Sequence, residues 1–394
     1  MAKLTVKDLD LKNKTVLMRA DFNVPLDANL NITDDTRIRE TLPTIKFILE
    51  KGAKKLVLMS HLGRPDGKRV DKYSLKPVAA KLEELLKEKV NFLNDCVGPE
   101  VKAGVINSKE RIVLLENLRY HAEEEGNDAD FAQQLAALGE VFVNDAFGTA
   151  HRAHASTAGV DRFLKSAAGF LLEKEIKYLG DAVSNPQKPF MVILGGAKVS
   201  DKIGVIENLL PKCEAIIIGG GMAYTFLKAQ GKAIGNSKLE KDKLDLAKSI
   251  LDKAASLKKE IVLPVDHVVV ETVDANAKFE ITSTEAIPDG KIAVDIGPKT
   301  IALFNAKLST AKTIVWNGPL GIFEMDAFSK GTAEVGKCLA GLKAVTIIGG
   351  GDTAAAVAKF KLQDKMTHIS TGGGASLEFL EGKNLPGIEA LTDK

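Results

Sequence analysis

PFMVILGG (residues 189–196) is an apolar run that ends in two glycines, with AKVSDK (197–202) directly after it. The run has strand character, and a glycine turn at its end fits the step from a strand into a helix. The same sentence repeats outward. Downstream come AIIIGGG from Ala215, IVLPVD from Ile261, TIVWNGP from Thr313, AVTIIGGGDT from Ala344 and THISTGGGA from Thr367. Upstream come KTVLMRADFN from Lys14, KKLVLMSHLG from Lys54, RIVLLENLRY from Arg111 and GEVFVNDAFG from Gly139. Longer stretches with helical periodicity separate these runs, and that alternation is the pattern of βαβ units and parallel sheets.

The chain has 394 residues, beyond the length at which one hydrophobic core usually keeps growing, so two domains are expected. The boundary is read at 171–189. There Leu172, Ile176, Leu179 and Val183 recur at helical spacing, and Asn-Pro-Gln-Lys-Pro (185–189) follows, which predicts a connecting helix and a short linker. The competing reading is one more crossover helix inside a single large sheet.

A formal net charge of +2 excludes a protein that coats nucleic acid, since phosphate backbones require a clear basic excess. Any anion site is therefore local. The three cysteines, Cys96, Cys213 and Cys338, have no metal-ligand spacing and read as buried thiols in a reducing compartment. The N-terminus lacks the apolar stretch of a signal peptide, and no segment approaches a membrane span, so a cytoplasmic address is expected.

All nine arginines lie within the first 162 residues. A guanidinium grips carboxylate or phosphate through a planar fork, so the segregation points to a small, doubly anionic ligand for the first half. Arg39, Arg69, Arg111 and Arg162 read as solvated surface. Arg64 and Arg119 follow strands, where ligands bind in open parallel sheets. His61 shares the loop of Arg64, Arg37 lies in a loop-to-helix stretch, and Arg152 follows the run from Gly139. Asp21 and Asn23 follow the first run and suit a substrate hydroxyl.

The second half carries glycine clusters after its strands: 195–196, 219–221, 349–351 and 372–374. Glycine lets backbone N–H groups approach phosphate, and a helix beginning there adds the positive end of its dipole. Lys198 and Lys202 stand four apart after the first cluster; a helix starting there puts both ammonium groups on one face. Asp352 follows the third cluster as a single carboxylate at a helix start, either an N-cap or a ligand for Mg²⁺ held mostly by water and phosphate. The P-loop, dinucleotide and protein-kinase signatures are absent. No nucleophile with a partner set emerges, which leaves direct transfer between two bound substrates.

The order of DFNVP (from Asp21), SHLGRP (Ser60), LLENLRY (Leu114), NDAFGTAHRAHAS (Asn144), GGAKVSDKI (Gly195), WNGPLGIFE (Trp316), GGGDT (Gly349) and STGGGAS (Ser370) resembles the phosphoglycerate kinase family from end to end. The resemblance implies an α/β fold of two doubly wound, Rossmann-like parallel-sheet domains joined by a connecting helix. These are residues 1–170 for phosphoglycerate and 190–379 for nucleotide, with 380–394 returning to the first. It implies reversible phosphoryl transfer from 1,3-bisphosphoglycerate to ADP with Mg²⁺; charge and hydropathy lead us to expect no nucleic-acid or membrane partner, and nothing in the sequence requires more than a cytoplasmic monomer.

By motif match, Asp21, Asn23, Arg37, His61, Leu62, Gly63, Arg64, Arg119 and Arg152 would hold the phosphoglycerate. Lys198, Lys202, Asn317, Glu324, Gly350, Gly351, Asp352 and Thr353 would hold the nucleotide, with Asp352 on the metal and Gly219, Gly220 and Pro319 along the base. Arg37, Lys198 and the N–H groups of Gly372, Gly373 and Gly374 are expected to stabilise the transferring phosphoryl. The acceptor is an ionised carboxylate, so no general base is needed. Ligands on different domains imply bending about 171–189. One departure stands out: Ala293 occupies a position where the family commonly carries glycine. The rival readings are a sugar-phosphate dehydrogenase and a binder of phosphorylated metabolites that does no chemistry.

Overall fold

The computed structural model describes residues 2–394. Six strands form the first sheet: β1 (Thr15–Arg19), β2 (Lys55–Met59), β3 (Val90–Phe92), β4 (Ile112–Leu114), β5 (Val141–Asn144) and β6 (Ser166–Ala168). Their order is β3-β4-β2-β1-β5-β6, and every pairing is parallel. Successive side chains point to opposite faces of a strand. Val16, Met18, Leu56 and Leu58 accordingly enter one core, while Leu17, Val57 and Met59 enter another. Both faces are covered, so the strands read as unbroken apolar runs.

The second half continues with β7 (Phe190–Leu194), β8 (Ala215–Ile218), β9 (Glu260–Val262), β10 (His267–Val270), β11 (Glu280–Ile281), β12 (Ile292–Ile296), β13 (Thr313–Asn317), β14 (Val345–Gly349) and β15 (His368–Ile369). Six of these make a parallel sheet ordered β15-β14-β13-β7-β8-β9. The chain runs from β7 outward through β8 and β9, then crosses to β13 on the other side of β7. Strand order reverses between β7 and β13, and the crevice beyond the carboxyl ends at such a point is where open α/β sheets hold ligands. In the first sheet the reversal lies between β1 and β5.

Three features escape the sequence pattern. Strands β3 (VNF) and β6 (SAA) carry no run of large apolar residues to mark them. Residues 267–296 form a separate antiparallel sheet ordered β11-β10-β12, disguised because β12 carries the charged Asp295, which is fully buried. There it accepts the backbone N–H of Gly331 at 2.7 Å.

The chain divides into two compact units, residues 1–177 with 384–394, and residues 178–383. The division falls inside the helix Phe170–Ser184 rather than in the proline-containing stretch after it. Leu172 and Leu179 of that helix are fully buried. Within the first unit the returning segment is tied down by backbone: Leu4 N–H donates to Thr392 O at 2.9 Å and Lys394 N–H to Ala2 O at 2.8 Å. Asn144 donates to Gly387 O at 3.2 Å. The three cysteines are unpaired thiols, two buried and Cys338 half-buried.

Candidate active site

In the first unit the candidate residues converge beyond the carboxyl ends of β1, β2 and β4. Asp21 is buried and pairs with Arg37, the second residue of the helix Thr36–Glu50. Burial alone would raise the Asp21 pKa; the cations Arg37 and Arg19 and the Asn23 N–H outweigh it and hold the carboxyl below its ordinary value. The Asn23 N–H donates to Asp21 at 3.1 Å, and the Asn23 side-chain oxygen accepts from Gly63 N–H at 2.9 Å. Gly63 O in turn accepts from Arg119 at 2.9 Å, whose Nε faces Glu125 at 3.1 Å. These bonds orient two guanidinium groups and one amide before any ligand arrives.

Arg64 and Arg152 are exposed, and both stand close enough for their charge to act on Arg119. Leu62 is buried, and its carbonyl accepts from Asn117 at 2.7 Å, so it braces the loop from behind. Arg39, Arg69, Arg111 and Arg162 are exposed, and Arg39 and Arg111 are occupied by Asp35 and Glu88. Sequence reasoning passed over Arg19. It is fully buried at the end of β1, and the signal was its charge at the end of an apolar strand.

In the second unit three glycine-bearing loops are stitched together by backbone at the switch point. Gly195 N–H donates to Asn317 O at 3.0 Å, Gly196 N–H to Pro319 O at 2.9 Å, and Gly220 N–H to Leu320 O at 3.1 Å. Gly318 N–H is held by Thr353 Oγ at 2.6 Å. Gly318 has φ +103°, and a β-carbon there would stand 2.2 Å from Gly195 O, so only glycine permits the approach.

A cavity of about 320 Å³ opens on these loops, lined by Lys198, Lys202, Asn317, Gly350, Gly351, Asp352, Thr353, Gly373 and Gly374. A second, of about 410 Å³, shares Gly196, Ala197, Pro319 and Asp352 with it and adds Gly220, Gly221, Glu324 and, from the antiparallel sheet, Ile292, Ala293 and Val294. Lys202 donates to Asn317, and burial lowers its pKa. Lys198 is exposed. Lys238, Tyr224 and Val273 also line the second cavity; no motif announced them.

Two expectations need correcting, and two glycines stand apart from their neighbours. No α-helix starts at Lys198: residues 200–202 form a 3₁₀ turn, and the helix begins at Ile203. The Glu240 carboxylate takes the N–H groups of Val199 and Ser200 and the Ser200 hydroxyl ahead of that turn. Asp352 is not an N-cap; Gly350 caps the helix Gly351–Lys359, which leaves the Asp352 carboxylate exposed in the first turn. Gly219 is absent from the lining of both cavities, because its α-carbon faces Leu320. Gly372 is buried with its N–H given to Ser370 Oγ at 3.2 Å, leaving Gly373 and Gly374 on the cavity.

A lone exposed carboxylate beside glycine N–H groups suits a hard divalent cation whose other ligands are water and phosphate oxygens. Among the described residues the one cluster of three metal-ligating side chains, Asp95, Cys96 and His121, lies in the other unit.

The phosphoglycerate kinase family model matches residues 6–383. The chain is 59% identical to a phosphoglycerate kinase of Koribacter versatilis and 56% identical to one of Moorella thermoacetica, each over the full length of both chains. The solved phosphoglycerate kinase of Coxiella burnetii superimposes with a TM-score of 0.90 at 44% identity, covering 98% of each chain. That of Pyrococcus horikoshii gives 0.84 at 34%, again over 98% of each.

The chain belongs to the phosphoglycerate kinase family. It is therefore a phosphotransferase, and the dehydrogenase and the non-catalytic binder fall away. Among the described residues no helix is long and apolar enough to cross a membrane. The family departure at Ala293 lies in the wall of the second cavity, where Ala293 N–H donates to Ser237 Oγ at 3.0 Å.

Proposed function

We propose that this chain reversibly transfers a phosphoryl group from 1,3-bisphosphoglycerate to ADP, giving 3-phosphoglycerate and ATP, with Mg²⁺ required. The observation that carries the reading is the division of chemistry between units: oriented guanidinium groups in one, glycine N–H groups and lysines at a switch point in the other. Asp21 and Asn23 meet the substrate hydroxyl, while Arg37, His61, Gly63, Arg64, Arg119 and Arg152 meet its charged ends. The second cavity takes the nucleoside, with Glu324 at the ribose, Pro319 and Gly220 along the base and Ala293 narrowing the wall.

The first cavity takes the phosphates against Lys202, Asn317 and the N–H groups of Gly350 to Thr353. Bound at Asp352, Mg²⁺ supplies neutralising charge to the nucleotide phosphates. Arg37, Lys198, Gly373 and Gly374 stabilise the phosphoryl in flight; Gly372 supports them through Ser370. The accepting carboxylate is already ionised, so the residues align and neutralise without moving a proton. The two ligands must meet during the cycle, and bending about 171–189 is the proposed means. The enzyme serves glycolysis and gluconeogenesis as a cytoplasmic monomer.

Mixing the purified chain with 3-phosphoglycerate, ATP and Mg²⁺ tests this. ADP is expected to appear, and omission of Mg²⁺ to stop it. Binding of both ligands without turnover rejects the reading.

A further inference from the structure

His61 is 3% exposed, and its Nδ1 stands 3.0 Å from Nη2 of Arg19. An imidazole nitrogen can donate or accept, but a guanidinium has donors only. The contact therefore decides the tautomer: Nδ1 accepts, and the ring proton sits on Nε2. Protonating Nδ1 would turn two donors against each other, so the charged ring is excluded as well.

Arg19 has no freedom to turn away. Its Nε donates to Ser156 Oγ at 2.8 Å, and Nη1 donates to Ala20 O. Ser156 Oγ donates its own hydrogen bond to Glu124 Oε1 at 2.5 Å, and Ser156 N–H donates to Glu124 Oε2 at 3.0 Å. Arg19, Ser156 and Glu124 are all fully buried. Ser156 lies in the π-helical turn Ala155–Gly159, a rare geometry that recurs at functional sites.

We propose that Glu124, Ser156 and Arg19 form a buried relay that holds His61 as a neutral Nε2–H donor for the anionic substrate of the first unit. All three are positioning residues, and the assignment rests on that surface being the phosphoglycerate cradle. The other charges facing His61 are Asp21, Arg119 and Arg37; Asp21 favours a charged ring, while the arginines and burial oppose it. A neutral donor presents the same N–H to carboxylate or phosphate across the range in which a free histidine titrates, about pH 5.5 to 8.

The chain has six histidines, so ¹⁵N-labelled, ligand-free protein gives a readable long-range ¹H–¹⁵N spectrum, with His61 assigned from His61→Gln. The Nε2–H pattern is expected for His61, unchanged from about pH 5.5 to 8. In Glu124→Gln and in Ser156→Ala, His61 should mix tautomers or begin to titrate. The KM for 3-phosphoglycerate should rise roughly fivefold, the loss of about one oriented hydrogen bond, with the KM for ATP unchanged. If either variant fails to fold, the parent spectrum still decides. A protonated or Nδ1–H ring in the parent near neutral pH overturns the relay, as does an unaltered His61 in a folded variant. Because the tautomer is read without ligand, a correct spectrum from a chain with no turnover would reject the kinase reading and leave the relay standing.

Discussion

Substituting alanine at Gly318 tests whether the interlocked loops shape the nucleotide cavity. The backbone there has φ +103°, and the added carbon would meet Gly195 O at 2.2 Å, Gly195 C at 2.3 Å and Gly195 Cα at 2.9 Å. Placing an L-residue at positive φ costs roughly 1–2 kcal/mol. Forcing an extra carbon into packed backbone costs roughly 1–3 kcal/mol, so Gly318→Ala should destabilise the second unit by about 2–5 kcal/mol. The clash is relieved only by moving Gly195 away by about 1 Å, and a displacement of that size at a reacting centre costs on the order of 100-fold in turnover.

Gly231→Ala, in the same unit but lining neither cavity, is the built-in control. Its φ is +81°, but nothing lies within 4 Å of the added carbon, so it carries the backbone penalty without the collision. Calorimetric titration with Mg²⁺-ADP and with 3-phosphoglycerate, beside urea denaturation, separates the cases. Gly318→Ala should lose most ADP affinity and keep 3-phosphoglycerate affinity, since that cradle is built wholly within the first unit. Equal behaviour of the two variants, or normal ADP binding by Gly318→Ala, refutes the reasoning.

Arg37→Ala should lower kcat by about 100-fold or more with a smaller change in KM, as for removal of one donor aimed at developing charge; steady-state kinetics showing an unchanged kcat would remove Arg37 from that role. Asp352→Asn should raise the Mg²⁺ concentration needed for half-maximal turnover while leaving 3-phosphoglycerate binding alone, and an unchanged Mg²⁺ dependence would sink its assignment. Burial pushes the Asp145 carboxyl up to about 7 from 3.8, so between those values the folded chain keeps a proton that the unfolded chain has shed. Stability from this group therefore falls as pH rises from about 4 to 7. The change is on the order of 4 kcal/mol from the shift of the pKa, and Asp145→Asn should flatten it. Melting curves at both ends of the window that keep their separation in the variant would contradict this.

Ten of the twelve parallel strands were legible, because a strand buried on both faces has to be written as an apolar run, as in Phe190–Leu194. The loops proposed to carry the two sites were legible for a related reason: segments beyond strand ends carry the polar letters that the strands cannot. What stayed hidden was written in long-range partners. Nothing near Lys198 reveals that Glu240, some forty residues on, is the acceptor for the N–H groups of Val199 and Ser200. Gly219 and Gly372 look like their neighbouring glycines, and only packing against Leu320 and bonding to Ser370 set them apart. Arg19 reads as the end of a strand until Ser156 and His61 are found beside it.

The closure of the first unit by residues 384–394 has a consequence for the order in which the molecule is made. Synthesis runs from the N-terminus, and domains generally fold as units when their chain is available. Here the segment that carries Gly387, Thr392 and Asp393 to Asn144, Leu4 and Lys3 leaves the ribosome after the whole of the second unit. The second unit, ending at residue 383, has its whole sequence translated while the first still waits for a piece of its own. The domain begun first is thus the one completed last, and a nascent chain stalled before residue 384 carries a finished half downstream of an unfinished one.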